Sequence, residues 1–219
     1  MQLHAWLASE SWHPLVNALL LAWLARTVTI IYLAVHNRSG AYKHIELEGN
    51  FLRTIDDNPL TVTIIIPAFN EQSSISSSLL SCINSDYGNK EIIVIDDGST
   101  DSTYKVAERI ANSHPEQQIK IIRSKCNMGK TEALNPGLNH ARGNVVVTLD
   151  ADTRLEKEDT LKLLIQPFFT NTEIAAITSN LRPLNPDDIL GKFQTIEYAK
   201  IIHTVRRTQC EVNSIFILP

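Results

Sequence analysis

Cysteine is scarce in this chain of 219 residues, and the three present, Cys82, Cys126 and Cys210, lie far apart with no CxxC pair and no His/Cys cluster. That spacing excludes a structural zinc site and a disulfide framework, and it points to a reducing compartment. A basic excess is also missing, since 20 Lys and Arg stand against 24 Asp and Glu for a formal charge of -4. With no electrostatic footprint for nucleic acid, nucleic-acid binding is excluded as a function class. Internal repeats and low-complexity tracts are absent too. The length suits one core of ordinary domain size, with an N-terminal extension left over.

One long apolar run is present. Residues 15–35 match the roughly 20 helical residues that span a bilayer core, although Asn17 and Arg26 interrupt them. An arginine near the middle of a span costs about 2.5 kcal/mol or more unless it snorkels or meets a partner helix. The alternative is a buried or interfacial helix; a cleaved signal peptide fits less well, because no basic segment precedes the run. Glu10 lies upstream with no Lys or Arg, whereas Arg38, Lys43 and Arg53 follow, so the positive-inside rule puts everything after residue 36 in the cytoplasm. The expected organisation is a membrane anchor over 1–36 with its transmembrane helix at about 15–35, a linker over 37–60, and one main domain over 61–219.

Within that domain, short β-branched runs alternate with segments of helical spacing. Val62–Ile66, Ile92–Ile95, Ile119–Ile122, Val145–Leu149 and Ile174–Thr178 read as buried strands. Helical periodicity follows at Ile75/Leu79/Ile83, Val106/Ile110, Leu134/Leu138 and Leu161/Ile165, and a last amphipathic helix is expected from about Asp187 to Arg207. The alternation predicts an α/β fold, a mostly parallel sheet with helices on both faces. In such a sheet ligands bind beyond the carboxyl ends of the strands. The residues at those ends form three polar clusters: 67–71, 96–101 and 150–152.

Each cluster has a functional and a plain structural reading. Asp150-Ala151-Asp152 ends a strand with two hard oxygen donors, which suits Mg2+ or Mn2+ shared with a diphosphate; a strand-terminal Asp can also merely cap the next helix. An apolar strand ending in Asp-x-Asp-x-Thr also opens haloacid-dehalogenase-type phosphatases, but there it follows the first strand and here it follows the fourth. Asp96-Asp97-Gly98-Ser99-Thr100-Asp101 is a strand entering a tight turn, with Ser99 or Thr100 able to cap the following helix. A carboxylate held there could instead accept the imide N–H of uracil, with Gly98 letting the backbone approach the base. Asn127-Met128-Gly129-Lys130 offers a flexible glycine, helix-start N–H groups and a lysine for a diphosphate. It lacks the upstream glycine of a P-loop.

Taken together, Pro67-Ala68-Phe69-Asn70-Glu71, Asp96 to Asp101, Gly129-Lys130 with Ala133-Leu134-Asn135, and Leu149-Asp150-Ala151-Asp152 resemble the family-two glycosyltransferases of the GT-A, Rossmann-like fold. Gly191-Lys192-Phe193-Gln194, Glu197-Tyr198 and Arg206 to Gln209 extend the resemblance toward the bacterial poly-N-acetylglucosamine synthases. The resemblance implies an inverting, processive enzyme that transfers N-acetylglucosamine from UDP-GlcNAc to a growing polysaccharide at the inner (plasma) membrane, within a polysaccharide-synthesis complex. Carried over residue by residue, it implies nucleotide-sugar binding by Pro67, Ala68, Glu71, Asp97, Gly98, Lys130 and Asp150, and a metal on Asp152 with Asp150.

Two departures shape the expectations. Pro136 falls inside the helix that should begin near Thr131, where it removes a hydrogen bond at a cost of about 3 kcal/mol unless the helix kinks, and its effect on the Lys130 loop is left open. The chain stops at Phe216-Ile217-Leu218-Pro219, before the family's catalytic-base aspartate and acceptor motif, so the domain is read as C-terminally truncated. The expectation is a chain that does not polymerise alone, with a non-catalytic nucleotide-sugar-binding fragment as the alternative.

Overall fold

The computed structural model describes residues 13–36, 60–170, 173–179, 181–184 and 188–201. Contacts divide the chain into one unit of residues 45–176 and another of residues 1–44 with 177–219.

The larger unit is built on four strands, β1 (Val62–Ala68), β2 (Lys90–Asp96), β3 (Ile119–Arg123) and β4 (Val145–Thr148). They pair in the order β3-β2-β1-β4, and every pairing is parallel. Parallel neighbours need a crossover, and each is a helix: α2 (Ile75–Ile83), α3 (Thr103–Ser113) and α4 (Lys130–His140), with α5 (Thr160–Thr170) after β4. β1 and β2 are central and buried along almost their whole length, which is why both read as continuous apolar runs. β3 and β4 are edges, and their side chains alternate or scatter between half-buried and exposed.

The pleat splits the core in two. Ile64, Ile66 and Ala68 of β1 join Ile92 and Val94 of β2 on one face, where Ile75 and Leu79 of α2, Ala107 and Ile110 of α3, and Leu161 and Ile165 of α5 cover them. On the other face Ile65, Ile93 and Ile95 meet Ala133 and Leu134 of α4. Thr63 shares that second face fully buried; its hydroxyl donates to Glu91 Oε1 at 2.5 Å and accepts the Gly143 N–H at 2.8 Å, so no polar atom is orphaned.

α4 continues as helix through Pro136, from Lys130 to His140. The reason is packing. A Cβ on Gly137 would stand 2.8 Å from both Ile65 Cγ2 and Ile95 Cδ1, so the helix rests against the sheet at closest approach. Covering three isoleucines, each worth about 1.5–3 kcal/mol when buried, outweighs the roughly 3 kcal/mol that a helical proline costs.

The run Ile174–Thr178 is a second correction. Residues 174–179 form no strand, and among the described residues the sheet has four strands. An apolar β-branched run supplies the side chains of a strand but not the neighbour that pairs with it.

In the smaller unit α1 (His13–His36) is a continuous 24-residue helix where the anchor was expected, and its Leu19, Leu21 and Trp23 are exposed. Among the described residues, however, no helix is long and apolar enough to cross a membrane. Polar groups dilute the run: Asn17 and Arg26 break it, and the Thr27 and Thr29 hydroxyls turn back to the Trp23 and Ala25 carbonyls at 2.8 Å. The expected last helix corresponds to α6 (Ile189–Lys200), capped by Asp188, whose Oδ1 accepts the Gly191 N–H at 2.6 Å. Asp187, residues 202–219 and the linker residues 37–59 lie outside the described residues.

Candidate donor-binding site

The strand order places the site. β2 and β4 flank β1, and the chain leaves the sheet in opposite directions on either side of it, which opens a crevice at the carboxyl ends. A cleft of about 310 Å³ lies there, lined by Pro67, Ala68, Phe69 and Glu71 after β1, Asp97 after β2, Asn127, Gly129, Lys130 and Ala133 at the start of α4, and Asp150 to Asp152 after β4. Pro67, Ala68, Glu71, Asp97, Lys130, Asp150 and Asp152, all singled out in the sequence, converge on this one cleft; Gly98 lies beside it but does not line it.

The Asp150–Asp152 turn owes its shape to the small residue between the acids. Ala151 is 4% exposed and belongs to the core, while Asp150 and Asp152 on either side stay exposed at the cleft. α2 fastens the turn: Ser78 Oγ donates to the Asp150 carbonyl at 3.4 Å, and the Leu155 N–H donates to Ser81 Oγ at 3.0 Å. Asp150 Oδ1 pairs with Lys130 Nζ at 2.6 Å, whereas Asp152 Oδ1 takes only a long bond of 3.3 Å from Thr153 Oγ1. Two exposed carboxylates are hard donors that fit a divalent cation whose remaining positions go to phosphate oxygens and water. Among the described residues no group of three His, Cys, Asp or Glu side chains forms a metal cage.

Opposite them, Gly129 stands at the N-cap of α4 with φ of 91° and, having no side chain, makes no capping bond to the helix's first-turn amides. Those N–H groups and Lys130 make a ready anion site.

The loops after β1 and β2 are laced together. Asn70, at a left-handed φ of 56° that Asn tolerates, accepts the Thr100 N–H on its Oδ1 at 2.9 Å, and its own N–H donates to Ser99 Oγ at 3.0 Å. Glu71 N–H donates to Thr103 Oγ1 at 2.8 Å, and the Glu71 carboxylate is held by the Ser74 hydroxyl. Ser99 or Thr100 could have capped α3 on the plain reading of this turn. Both bond Asn70 instead, Ser102 stands at the N-cap without a side-chain bond, and Asp101 accepts the Thr103 N–H of the first turn at 2.9 Å. Desolvation raises the Asp101 carboxyl, but hydrogen bonds from the Thr103 hydroxyl and N–H and the Gln72 N–H outweigh it and hold the group below the usual carboxylate range.

Two predicted contacts look different at atomic level. The Asp97 carboxylate, 3% exposed, accepts the Met128 N–H at 3.1 Å and the Gly129 N–H at 2.9 Å. Gly98, at φ of 71°, is needed for a protein contact, since a Cβ there would stand 2.5 Å from the Cys126 carbonyl carbon. That close approach accounts for a glycine at 98 by a contact within the protein.

Phe69 and Asn127, which line the cleft, and Asp96, which supports it, belong to segments singled out in the sequence but were given no role of their own there. Asp96 is 1% exposed and sits 3.0 Å from Arg123 Nε as an ion pair, and the Arg123 guanidinium lies 4.9 Å over the Tyr104 ring. The signal was available: an acid ending β2 stands in register with a base ending β3.

The chain matches Glycosyl transferase family 2 over residues 63–214. It belongs to that family. Among curated relatives it is 36% identical over 154 residues to a poly-β-1,6-N-acetyl-D-glucosamine synthase of Staphylococcus epidermidis, covering 70% of this chain and 36% of that protein. A Staphylococcus aureus enzyme of the same name is 36% identical over 148 residues, 68% of this chain and 35% of that one. The chain thus spans about a third of the length of these relatives. Among solved structures, a mannosyltransferase from Pyrobaculum calidifontis in complex with GDP-Man and Mn2+ superposes with a TM-score of 0.56 at 26% identity, covering 73% of this chain and 46% of that one. Glucosyl-3-phosphoglycerate synthase from Mycobacterium tuberculosis with UDP gives 0.51 at 25% identity, with 65% and 51% covered. Family membership replaces the phosphatase alternative, and the parallel four-stranded sheet with its helices is a GT-A-like fold.

Proposed function

We propose that this family-two glycosyltransferase binds UDP-N-acetylglucosamine in the cleft and supplies its sugar, with inversion, to a growing polysaccharide. The observation that carries the reading is the meeting of Lys130, the free amide end of α4 and the Asp150/Asp152 pair in one crevice with an apolar wall of Pro67, Ala68 and Phe69. The 36% identity to poly-β-1,6-N-acetyl-D-glucosamine synthases supports the choice of sugar and polymer.

In this reading the apolar wall and Glu71 receive the nucleoside, and Lys130 with the α4 amides receives the diphosphate. Asp150 faces the ribose and sugar side, where it would release Lys130 as the phosphates arrive. A Mg2+ or Mn2+ held by Asp152 and Asp150 would offset charge on the departing diphosphate. The chain's own contribution is then positioning and charge stabilisation, with no enzyme nucleophile required.

The proposal extends to location. The exposed Leu19, Leu21 and Trp23 of α1 and Phe193 and Ile196 of α6 support membrane association. The basic residues that follow α1 favour a cytoplasmic face of the inner membrane for the donor domain, where a polysaccharide-synthesis complex would meet it. Titration calorimetry of the purified chain with UDP-GlcNAc, UDP and GDP-mannose at fixed Mn2+, beside an assay of UDP release, tests the reading. Saturable binding that prefers the uridine donors is the expected result; equal binding of GDP-mannose, or none of either, rejects it.

A further inference from the structure

The turn after β2 brings Asp97 to the cleft, and it is held from both sides. On the β1 side the Asp97 N–H donates to the Ala68 carbonyl at 2.9 Å. On the β3 side one arginine grips the turn at two points. Asp96 Oδ2 is buried and, among the described residues, has no partner besides Arg123 Nε at 3.0 Å. Asp96 Oδ1 folds back to accept the Ser99 N–H at 3.2 Å, and Arg123 Nη2 donates to the Ser99 carbonyl at 3.4 Å. The Tyr104 ring of α3, 4.9 Å from the guanidinium carbon, steadies the fork in this pose. The same turn is bonded onward to the β1 loop. Ser99 Oγ accepts the Asn70 N–H at 3.0 Å and Asn70 Oδ1 accepts the Thr100 N–H at 2.9 Å, between Phe69 and Glu71 of the cleft wall.

We propose that Arg123 is a positioning residue for the nucleoside end of the donor, acting through Asp96 and the Ser99 carbonyl to set the turn that presents Asp97 and steadies the Phe69–Glu71 wall. Arg123 does not itself line the cleft, so its influence passes through these partners. The inference rests on the donor-site reading, which it deepens. Without the guanidinium, Asp96 is a buried charge with no counterion, and the turn must open to bring water to it. Asp97, next in the chain, and Asn70, bonded to Ser99 and Thr100, move with the turn. Lysine carries the charge but not the planar fork, so it can serve Asp96 without also holding Ser99 and lying flat on Tyr104. Lys130 belongs to α4, whose Gly137 and Ala133 pack on the sheet, so the diphosphate end has a footing of its own.

The test separates the two ends of the ligand. Uridine, inorganic pyrophosphate and UDP are titrated at fixed Mn2+ into the wild-type chain, Arg123→Ala, Arg123→Lys and Tyr104→Leu, beside urea unfolding of each. Arg123→Ala is expected to lose about tenfold in affinity for uridine and UDP, the scale of one charge-assisted hydrogen bond, with pyrophosphate within about twofold of wild type. Arg123→Lys should regain part of the loss and bind uridine about threefold more weakly than wild type. An arginine that serves folding alone would lower the urea midpoint and leave the uridine affinity of the folded protein unchanged, which overturns the proposal, as does an equal loss for uridine and pyrophosphate. If Arg123→Ala does not fold, Tyr104→Leu decides, because it takes the ring from the guanidinium and leaves the ion pair. A loss of about threefold confined to uridine and UDP supports the proposal, and unchanged uridine binding overturns it. A wild-type chain that binds none of the three ligands rejects the donor-site reading and the proposal with it, whereas variants that match a wild type that does bind reject the proposal alone.

Discussion

Lys130 at the first turn of α4 and Asp150 just past β4 face each other across the cleft with Nζ and Oδ1 2.6 Å apart. Both side chains are half-exposed, so the pair adds little to folding, about 1 kcal/mol or less. Its significance is as a placeholder, because a lysine already turned inward needs little reordering to meet a phosphate. Lys130→Ala should weaken UDP binding by about tenfold, the worth of a charge-assisted contact. Urea midpoints should scarcely move. A large stability loss with unchanged UDP affinity would make the pair a structural tie.

Gly137 is the point where α4 meets the sheet, and Gly137→Ala sets two effects against each other. Helix propensity favours alanine by up to about 1 kcal/mol. Overpacking against Ile65 Cγ2, a branch close to the backbone that cannot swing away, costs about 1–3 kcal/mol. A net loss of about 1 kcal/mol in urea unfolding is expected. The helix should also lift at its middle and weaken UDP binding, which a calorimetric titration of the same sample would reveal.

Much of this arrangement was legible in the sequence and some was not, for reasons that particular residues make plain. β1 and β2 could be read because central parallel strands need unbroken apolar runs, as in Val62–Ile66. Ile174–Thr178 has the same look without a ladder, since pairing depends on a neighbour the run does not encode. The cost of Pro136 could be read, but not the isoleucines that outweigh it from 71 and 41 residues upstream. Asp97 and Lys130 could be placed at strand and helix ends, and so in one crevice. That the Asp97 oxygens serve Met128 and Gly129, 31 and 32 residues away, is a tertiary fact that a strand-end motif does not contain. Asp101 accepts a first-turn N–H of α3 where Ser99 or Thr100 could have done so, because Asn70, from another loop, competed for those two hydroxyl residues.

Cys82 gives the fold a pH signature. It is fully buried on α2 among apolar neighbours, and desolvation raises its thiol from 9.0 to about 12, against smaller lowering effects from Ser81 and Lys90. A folded value above the unfolded one means that the native state keeps its proton longer. The contribution to stability is whole below pH 9 and is lost as pH rises from about 9 toward 12, by up to about 1.4 kcal/mol per unit. Lys90, lowered by burial, and Tyr87, raised by burial, titrate in the same region, so the comparison with Cys82→Ala isolates the thiol. The stability gap between wild type and variant in urea should narrow between pH 9 and 10.5; a constant gap would mean that the thiol ionises in place.

Asp152 offers the sharpest separation of ligand chemistry from folding. Its neighbour Ala151 holds the turn in the core, while its own carboxylate is exposed and takes a single long bond from Thr153. Asp152→Asn should therefore change unfolding free energy by no more than about 0.5 kcal/mol, as surface substitutions usually do. The amide keeps the size but loses the charge and one hard oxygen donor, and with it most of the pull on a divalent cation that asks for several oxygens. In the proposed donor site only the diphosphate end would share the ion, so the Mn2+-dependent gain in UDP affinity should vanish, while uridine binding, with or without Mn2+, stays at the wild-type level. Asp150→Asn differs in kind, because it also frees Lys130 from its 2.6 Å partner, so it should reduce the metal effect while leaving or improving metal-free affinity for the phosphates. Calorimetric titration of UDP and uridine into the three proteins, each with and without Mn2+, reads both expectations at once. A metal effect preserved in Asp152→Asn would place the ion on other donors and withdraw the Asp150/Asp152 pair as its ligands.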